Sequence, residues 1–178
     1  MSFLDRFRRA PSYEFGVLMV CMGNLCRSPL AEGVLRHKLA LAGLARRVKV
    51  DSAGTHCERG SAADPRAVAV AAKRGYNLSK LRSRRVVDVD FTQFDLVLAM
   101  DEDNLVNLRD LCPAEQHGHL RLLLDAAARA DGVREVPDPY YGADNSFERV
   151  IDLIEPACDA LVDQLVRTLQ AQPAPASL

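Results

Sequence analysis

The sequence predicts a single α/β domain, an open parallel sheet with helices on both of its faces. Short apolar runs alternate along the chain with segments of helical periodicity, which is the pattern of strand–helix–strand units. The first run, residues 17–20, has no polar interruption and is typical of a central strand covered on both faces. A length of 178 residues allows one such domain with a substantial core.

The composition limits the kinds of partner and the cellular compartment that we expect for this chain. Charged residues make up 26% of the chain and the formal net charge is -1, which does not favour nucleic acid or an anionic membrane as the main partner. No segment approaches the length of a membrane span, and the N-terminal residues lack the apolar stretch of a signal peptide. The five cysteines fit neither a disulfide framework nor zinc-finger spacing, so we expect reduced thiols and a cytoplasmic protein.

Two strands and the helix between them form the first half of the predicted sheet. Residues 14–21 are the first strand and residues 48–52 the second. The helix over residues 28–41 joins them, which implies a right-handed parallel crossover. Ser28 is the expected N-cap of that helix, and Gly43 ends it.

The second half repeats the alternation of helix and strand. Asp64 and Pro65 open a helix that runs to residue 74, and residues 94–100 form the third strand. Asp101 then caps a short helix that ends at residue 111. The fourth strand is predicted over residues 120–124, with the alternative that residues 125–130 extend this segment into a helix.

The last helix and the termini set the expected domain boundaries. Residues 147–169 carry one apolar stripe at helical spacing. We therefore expect a domain over residues 14–169, a flexible N-terminal extension over residues 1–13 and a disordered tail over residues 170–178. The Arg- and Phe-rich extension has an alternative interpretation as an amphipathic helix that touches a membrane or a partner.

Residues 21–28, which we call the phosphate loop, carry the main chemical signal. They follow the first strand and lead into a helix, so successive backbone N–H groups and the helix N-terminus favour an anion. Arg27 offers a planar fork that binds two oxygens of one anion. The same positive field favours the thiolate form of Cys21. The loop therefore predicts an anion-binding site with a nucleophile at its base.

A nucleophile of this kind also needs an acid to protonate the leaving group. Asp138 is the best candidate, because prolines on both sides restrict the backbone and hold its carboxyl outward. Tyr140 and Tyr141 follow it and can stack against an aromatic substrate. The alternative is that Asp138 is a turn residue and the tyrosines are half-buried anchors.

Six short motifs occur in order between residues 15 and 169: CMGNLCRSP at 21–29, AE at 31–32, DSAGT at 51–55, DPRA at 64–67, MD at 100–101 and DPYY at 138–141. In sequence and order they resemble the low-molecular-weight protein tyrosine phosphatases. The resemblance implies a flavodoxin-like fold of four parallel strands in the order 2-1-3-4. It also implies hydrolysis of phosphomonoesters without a metal or another cofactor.

The resemblance also implies a role for each matching residue. Cys21 forms a phosphocysteine, Arg27 binds the phosphoryl oxygens, and Asp138 protonates the leaving group and then activates water. The Asn24 amide holds the shape of the loop, and the Ser28 hydroxyl hydrogen-bonds the thiolate. The rest of the phosphate loop and the pocket wall are formed by Met22, Gly23, Leu25, Cys26, Tyr140 and Tyr141.

Three features bear on specificity and regulation. Residues 56–59 carry no aromatic side chain where the family presents one on the pocket rim, and Glu58 could repel acidic peptides. Leu81 stands where many relatives have a histidine that braces the loop asparagine. Cys26 is either a partner for a reversible disulfide with Cys21 or a small side chain packed beneath the loop.

The expected substrate is a phosphotyrosine protein or an aryl phosphate. A tyrosine kinase or its target is an expected partner, and inorganic phosphate is the expected product and inhibitor. One alternative is thioredoxin-coupled arsenate reduction, which needs two further cysteines close together, whereas Cys112 and Cys158 are far apart in sequence. The other alternative is a phosphate- or phosphotyrosine-binding module without turnover, which the presence of Cys21, Arg27 and Asp138 disfavours.

Overall fold

A computed structural model describes residues 13–127, 131–142 and 146–171. Its centre is a parallel sheet of four strands in the order β2-β1-β3-β4, which confirms the flavodoxin-like fold expected from the sequence. The strands are β1 (Phe15–Cys21), β2 (Val48–Gly54), β3 (Leu96–Ala99) and β4 (Leu120–Leu122).

Helices cover both faces of this sheet and divide the core into two parts. The larger core lies between one face and α1 (Arg27–Leu41), α2 (Pro65–Lys73) and α5 (Ser146–Gln170). The smaller core lies on the other face, against α3 (Asp90–Gln93) and α4 (Glu102–Leu111). The side chains of β1 alternate between the two cores, as a strand covered on both faces requires.

The central strand brings Cys21 to the functional edge of the sheet. β1 pairs with β2 on one side and with β3 on the other, so that Val17 to Val20 are fully buried. Cys21 is its last residue and lies opposite Gly54 at the end of β2. In open parallel sheets ligands bind beyond the carboxyl ends of the strands, and this is where the phosphate loop leaves β1.

Several predicted element ends differ from the observed ones. Ser28 is not the N-cap of α1: the helix begins at Arg27, with Cys26 in the cap position and no side-chain cap bond. The hydroxyl of Ser28 instead faces the Cys21 sulfur, because the loop turns it beneath the thiol. β3 is shorter than predicted, since residues 90–93 form α3 and Asp95 accepts a hydrogen bond from Gly16 N–H.

The predicted caps of α2 and α4 are confirmed. Asp64 accepts a hydrogen bond from Arg66 N–H, and Asp101 accepts one from Asn104 N–H. β4 ends at Leu122 and continues into a 3-10 turn over Leu123–Ala126, while a second 3-10 turn over Ala114–His119 precedes it.

The final helix confirms the apolar stripe that predicted it. Val150, Ile154, Leu161 and Leu165 are all buried on the α5 face that packs against the sheet. The predicted extension over residues 1–13 and tail over residues 170–178 fall almost entirely outside the described residues, and the domain boundaries stay predictions. No helix in the described ranges has the length and apolar character needed to cross a membrane.

Candidate active site

The phosphate loop is held in shape by Asn24. This residue has a left-handed backbone, with φ of 52°, a conformation that asparagine adopts more readily than most residues. Its side-chain amide donates to Ser28 Oγ and to Ser52 Oγ, both at 2.9 Å, and its Oδ1 accepts from the Arg84 backbone N–H at 3.0 Å. Every hydrogen-bonding group of this buried amide is therefore used to fix the loop.

Cys21 lies at the base of the loop and is almost fully buried. Its sulfur lies 3.0 Å from Ser28 Oγ and accepts a hydrogen bond from the Asn24 backbone N–H at 3.3 Å. Since the Asn24 amide donates to Ser28 Oγ, the single hydroxyl hydrogen of Ser28 remains for the sulfur or for the Ala53 carbonyl, 3.3 Å away. The sulfur therefore has one backbone N–H and one hydroxyl at hydrogen-bond distance.

A chain of buried polar side chains continues beneath the loop. Ser52 accepts from Asn24 and donates to Glu32 Oε2 at 2.6 Å, while Arg36 Nε donates to Glu32 Oε1 at 2.8 Å. Burial raises the pKa of Glu32, against the opposing effect of the bonds from Ser52 and Arg36. Sequence reasoning assigned no role to Ser52 or Glu32. Ser52 could have been found from its place near the carboxyl end of a parallel strand, the edge of the sheet where ligands bind.

Arg27 crosses the floor of the pocket and is 3% exposed. One terminal nitrogen, Nη1, pairs with Asp101 and donates to the Val136 carbonyl at 3.1 Å. The other, Nη2, pairs with Asp138 Oδ2 at 2.9 Å. Burial by itself lowers the pKa of Arg27, but the bond to Asp101 and the nearby negative groups outweigh it and raise the pKa.

Asp101 is a site residue that the sequence analysis missed. It was predicted only as a helix cap, but its two carboxylate oxygens have different partners. Oδ1 accepts from Asn104 N–H at the start of α4, and Oδ2 pairs with Arg27. The end of β3 thus orients the arginine of the phosphate loop.

Asp138 combines the two interpretations that the sequence left open. Its side chain is 46% exposed and faces the pocket, where Oδ2 pairs with Arg27. Its Oδ1 accepts from Tyr140 N–H at 3.1 Å, as in an Asx turn. Asp138 is therefore both a turn residue and a carboxylate placed at the phosphate loop.

One cavity of about 270 Å³ brings most of the predicted site residues together. Asn24 and Ser28 lie beneath it instead, as the hydrogen bonds above require. The Tyr140 and Tyr141 rings pack edge to face with their centroids 4.8 Å apart, and Tyr141 is 97% exposed. The cavity is lined by Cys21, Met22, Gly23, Leu25, Cys26, Arg27, Asp138, Tyr140 and Tyr141.

The unusual positions in the sequence have local explanations in the structure. Leu81 packs against the larger core, and Ser52 and the Arg84 backbone supply the bracing of Asn24. Cys26 and Cys21 are free thiols, and burial raises the pKa of Cys26 to about 12. A disulfide between them stays a prediction.

Comparisons with known proteins agree with this geometry. The family model "Low molecular weight phosphotyrosine protein phosphatase" matches residues 16–171. A low molecular weight protein-tyrosine-phosphatase of Streptomyces coelicolor is 42% identical over 83% of this chain and 92% of its own. A protein tyrosine phosphatase of Entamoeba histolytica, crystallised with Hepes in the active site, is 40% identical with a TM-score of 0.81, over 87% of this chain and 99% of its own. Wzb of Vibrio vulnificus, in complex with benzylphosphonate, is 29% identical with a TM-score of 0.73, over 84% of this chain and 98% of its own.

Proposed function

The chain belongs to the low molecular weight phosphotyrosine protein phosphatase family, a family of hydrolases, and we propose that it hydrolyses phosphotyrosine and aryl phosphates through a phosphocysteine on Cys21. One observation carries the proposal. The Cys21 sulfur, the Arg27 guanidinium and the Asp138 carboxylate face a single cavity at the carboxyl end of β1. They supply a nucleophile, an anion-binding group and an acid in one place.

The first step is attack by the Cys21 sulfur on phosphorus. An S–P bond forms while the bond from phosphorus to the ester oxygen breaks. The Ser28 hydroxyl and the Asn24 backbone N–H lie within hydrogen-bond distance of the sulfur and stabilise its negative charge. Backbone N–H groups of the loop and the Arg27 fork bind the other phosphoryl oxygens.

The ion pair between Arg27 and Asp138 links substrate binding to the release of Asp138. The phosphate group of the substrate competes with Asp138 Oδ2 for the hydrogen bond from Arg27 Nη2. Binding of substrate therefore releases the Asp138 carboxylate, which takes up a proton from solvent water and donates it to the leaving oxygen. Asp101 stays paired with Nη1 and keeps the guanidinium oriented.

The second step regenerates the enzyme. The Asp138 carboxylate removes a proton from a water molecule, whose oxygen attacks the phosphorus of the phosphocysteine. The S–P bond breaks, Cys21 leaves as thiolate, and inorganic phosphate is the product and a competing ligand of the loop.

The pocket wall favours an aromatic leaving group. Tyr140 and Tyr141 line the cavity together with Met22 and Leu25 of the phosphate loop. Aromatic and apolar side chains around a cavity suit a phenyl ring. The benzylphosphonate bound to the Wzb relative is a ligand of the same kind, an aromatic ring next to a phosphorus oxyanion.

The substrate class and compartment follow as part of the same proposal. We expect a phosphotyrosine protein as substrate and a tyrosine kinase or its target as partner. All five cysteines are free thiols, which fits the reducing cytoplasm. Cys112 packs in the smaller core and Cys158 in the larger one, on opposite faces of the sheet, so they are not placed to relay a disulfide for arsenate reduction.

Rapid-quench mass spectrometry tests the mechanism. During turnover of an aryl phosphate, we expect a phosphoryl group on the peptide that contains Cys21, and its absence from the Cys21→Ser variant. Cys112→Ser is the control, because Cys112 is also nearly buried but lies in the other core. Turnover without any phosphocysteine, or a phosphocysteine on another peptide, would overturn the proposal.

A further inference from the structure

We propose that three arginines beside the pocket, Arg59, Arg82 and Arg85, select phosphotyrosine segments with acidic residues near the phosphotyrosine. We call this surface, formed by residues 56–61 and 82–85, the basic lip. The inference rests on the proposed function, because it names the substrate class of the same site.

The first part of the basic lip is attached to the phosphate loop at both ends. At its first residue, the His56 backbone N–H donates to the Met22 carbonyl at 2.9 Å. After it, the Asp64 backbone N–H donates to the Leu25 carbonyl at 2.8 Å. The segment that contains Arg59 therefore begins and ends at the phosphate loop.

Ser83 joins the two parts of the basic lip into one unit. Its hydroxyl donates to the Glu58 carbonyl at 2.6 Å and accepts from Ser61 N–H at 3.0 Å. Its backbone adds a bond from Gly60 N–H and a bond to the Ser61 carbonyl, both at 2.8 Å. Ser83 is 1% exposed, so these four bonds are shielded from water and fix the backbone from which the neighbouring arginines extend.

The distance from the basic lip to Cys21 matches the spacing of residues in an extended peptide. Gly54 pairs with Cys21 on one side and with Arg85 on the other. Because neighbouring strands lie about 4.8 Å apart, the backbone of Arg85 is about 10 Å from that of Cys21. An extended peptide covers about 7–10 Å in two to three residues. Side chains two or three positions from a bound phosphotyrosine are thus within reach of Arg85, whereas the Arg82 guanidinium donates to the Ser79 and Leu81 carbonyls and adds its charge from there.

The charges on the basic lip are largely uncompensated. Arg84 is paired with Asp51 and Asp90, but its three arginine neighbours are exposed, and none of them forms an ion pair with a carboxylate of the described residues. Glu58 is the one acidic residue in residues 56–61 and 82–85. Since the whole chain has a net charge of -1, three arginines against one glutamate is a local excess. A partner with acidic side chains complements it.

Matched phosphotyrosine peptides test the inference. Three peptides differ only in the residues two and three positions from the phosphotyrosine, which are Glu, Gln or Lys. For the wild type we expect kcat/KM to be about two- to fivefold higher for the Glu peptide than for the Gln peptide at low salt. The preference should disappear near about 1 M salt, where the screening length is about 3 Å.

Charge-reversal variants assign the preference to the basic lip. In the double variant Arg59→Glu/Arg85→Glu the preference should reverse, and in Arg59→Gln/Arg85→Gln it should vanish. Arg46→Glu is the matched control: Arg46 is exposed and precedes β2 at the opposite end from Gly54, about 25 Å away along the strand. We expect it to keep the wild-type preference.

The outcomes separate the two proposals. Equal kcat/KM for the three peptides, a preference for the Lys peptide, or an unchanged preference in both double variants would overturn the basic lip while aryl phosphate turnover stands. Failure of the wild type to hydrolyse any aryl phosphate would overturn the proposed function itself.

Discussion

The two sides of the pocket are built in different ways. Most of the phosphate loop is buried: Asn24 and Ser28 are 2% and 0% exposed, although Met22 is 54% exposed. The opposite wall, residues 136–142, which we call the acid loop, carries Asp138 with 46% of its side chain exposed and Tyr141 with 97% of its surface exposed. One side belongs to the core of the fold, whereas the other is attached to it by a few contacts.

The contacts of each side show what the difference means. The Asn24 side chain of the phosphate loop bonds to Ser52 of β2 and to the backbone N–H of Arg84. The shape of the loop therefore depends on the packing of the sheet. The acid loop is held by the bonds of Arg27 to Asp138 and to the Val136 carbonyl, by a backbone bond from Val136 N–H to the Met100 carbonyl, and by bonds from Arg66 and Ser146. We infer that the phosphate loop sets the chemistry and that the acid loop adjusts it to the leaving group.

Cys21→Ser is expected to have the largest effect on activity. Replacing the nucleophile should lower kcat by about four orders of magnitude or more on every aryl phosphate, because a hydroxyl is not ionised at neutral pH. Stability should change little, since serine fits the same space. Steady-state kinetics and thermal unfolding measure both effects. Activity near the wild-type level would contradict the role of Cys21 on the phosphate-loop side.

Asp138→Asn should lower activity in a way that depends on the leaving group. We expect kcat/KM, which reports on the first step alone, to fall about 10²–10⁴-fold for phenyl phosphate, whose phenolate needs a proton, and much less for p-nitrophenyl phosphate. A plot of log kcat/KM against leaving-group pKa should be steep for the variant and shallow for the wild type. Asp88→Asn serves as the control, since Asp88 is exposed and does not line the pocket. Equal losses for both substrates would remove the acid role.

Arg66 links the acid loop to the phosphate-loop side, so its substitution sharpens the comparison. Arg66 Nη2 donates to the Tyr140 carbonyl at 3.2 Å and pairs with Asp64, whose backbone N–H is bound to Leu25. We expect Arg66→Met to lower kcat/KM about two- to tenfold, the value of one hydrogen bond. The loss should be greater for phenyl phosphate than for p-nitrophenyl phosphate.

Arg66→Lys tests whether this positioning effect needs the guanidinium fork. Lysine keeps the charge but cannot bind Asp64 with two nitrogens, so we expect only partial recovery. A loss that is the same for both leaving groups would mean that Arg66 affects the fold rather than the position of Asp138.

The smallest effect concerns the change of stability with pH, and its sign should differ between a buried and an ion-paired carboxylate. Burial raises the pKa of Glu32 above its ordinary value of 4.5, so the folded state binds that proton more tightly than the unfolded state. This contribution to the free energy of unfolding is complete below pH 4.5 and is lost as the pH rises through the raised pKa. Glu32→Gln should remove that loss, measured by urea unfolding at several pH values.

Asp64→Asn is the matched substitution at an ion-paired carboxylate, which Arg66 connects to the acid loop. The bond from Arg66 lowers the pKa of Asp64 below its ordinary value of 3.8. Its contribution is present above pH 3.8 and is lost as the pH falls through the lowered pKa. The two variants should therefore flatten opposite ends of the pH profile. The same change in both variants would contradict the contrast between buried and ion-paired carboxylates.

The sequence alone determined the features that depend on neighbouring residues. The apolar run of β1, the phosphate loop after it, and the caps Asp64 and Asp101 were predicted because strand burial, loop chemistry and helix capping act within a few residues. The Ser28 cap was wrong, because the hydroxyl serves the Cys21 sulfur in a fold that turns it inward. Resemblance, and not periodicity, supplied the order of the strands.

Only the tertiary structure decided which distant groups meet. Asp138 reaches Arg27 across 111 positions and Asp101 reaches it across 74, because the strand ends and the acid loop converge at one edge of the sheet. Asn24 and Ser52 meet because β1 and β2 are paired in parallel. Such contacts depend on sheet order and packing, which no short stretch of sequence contains.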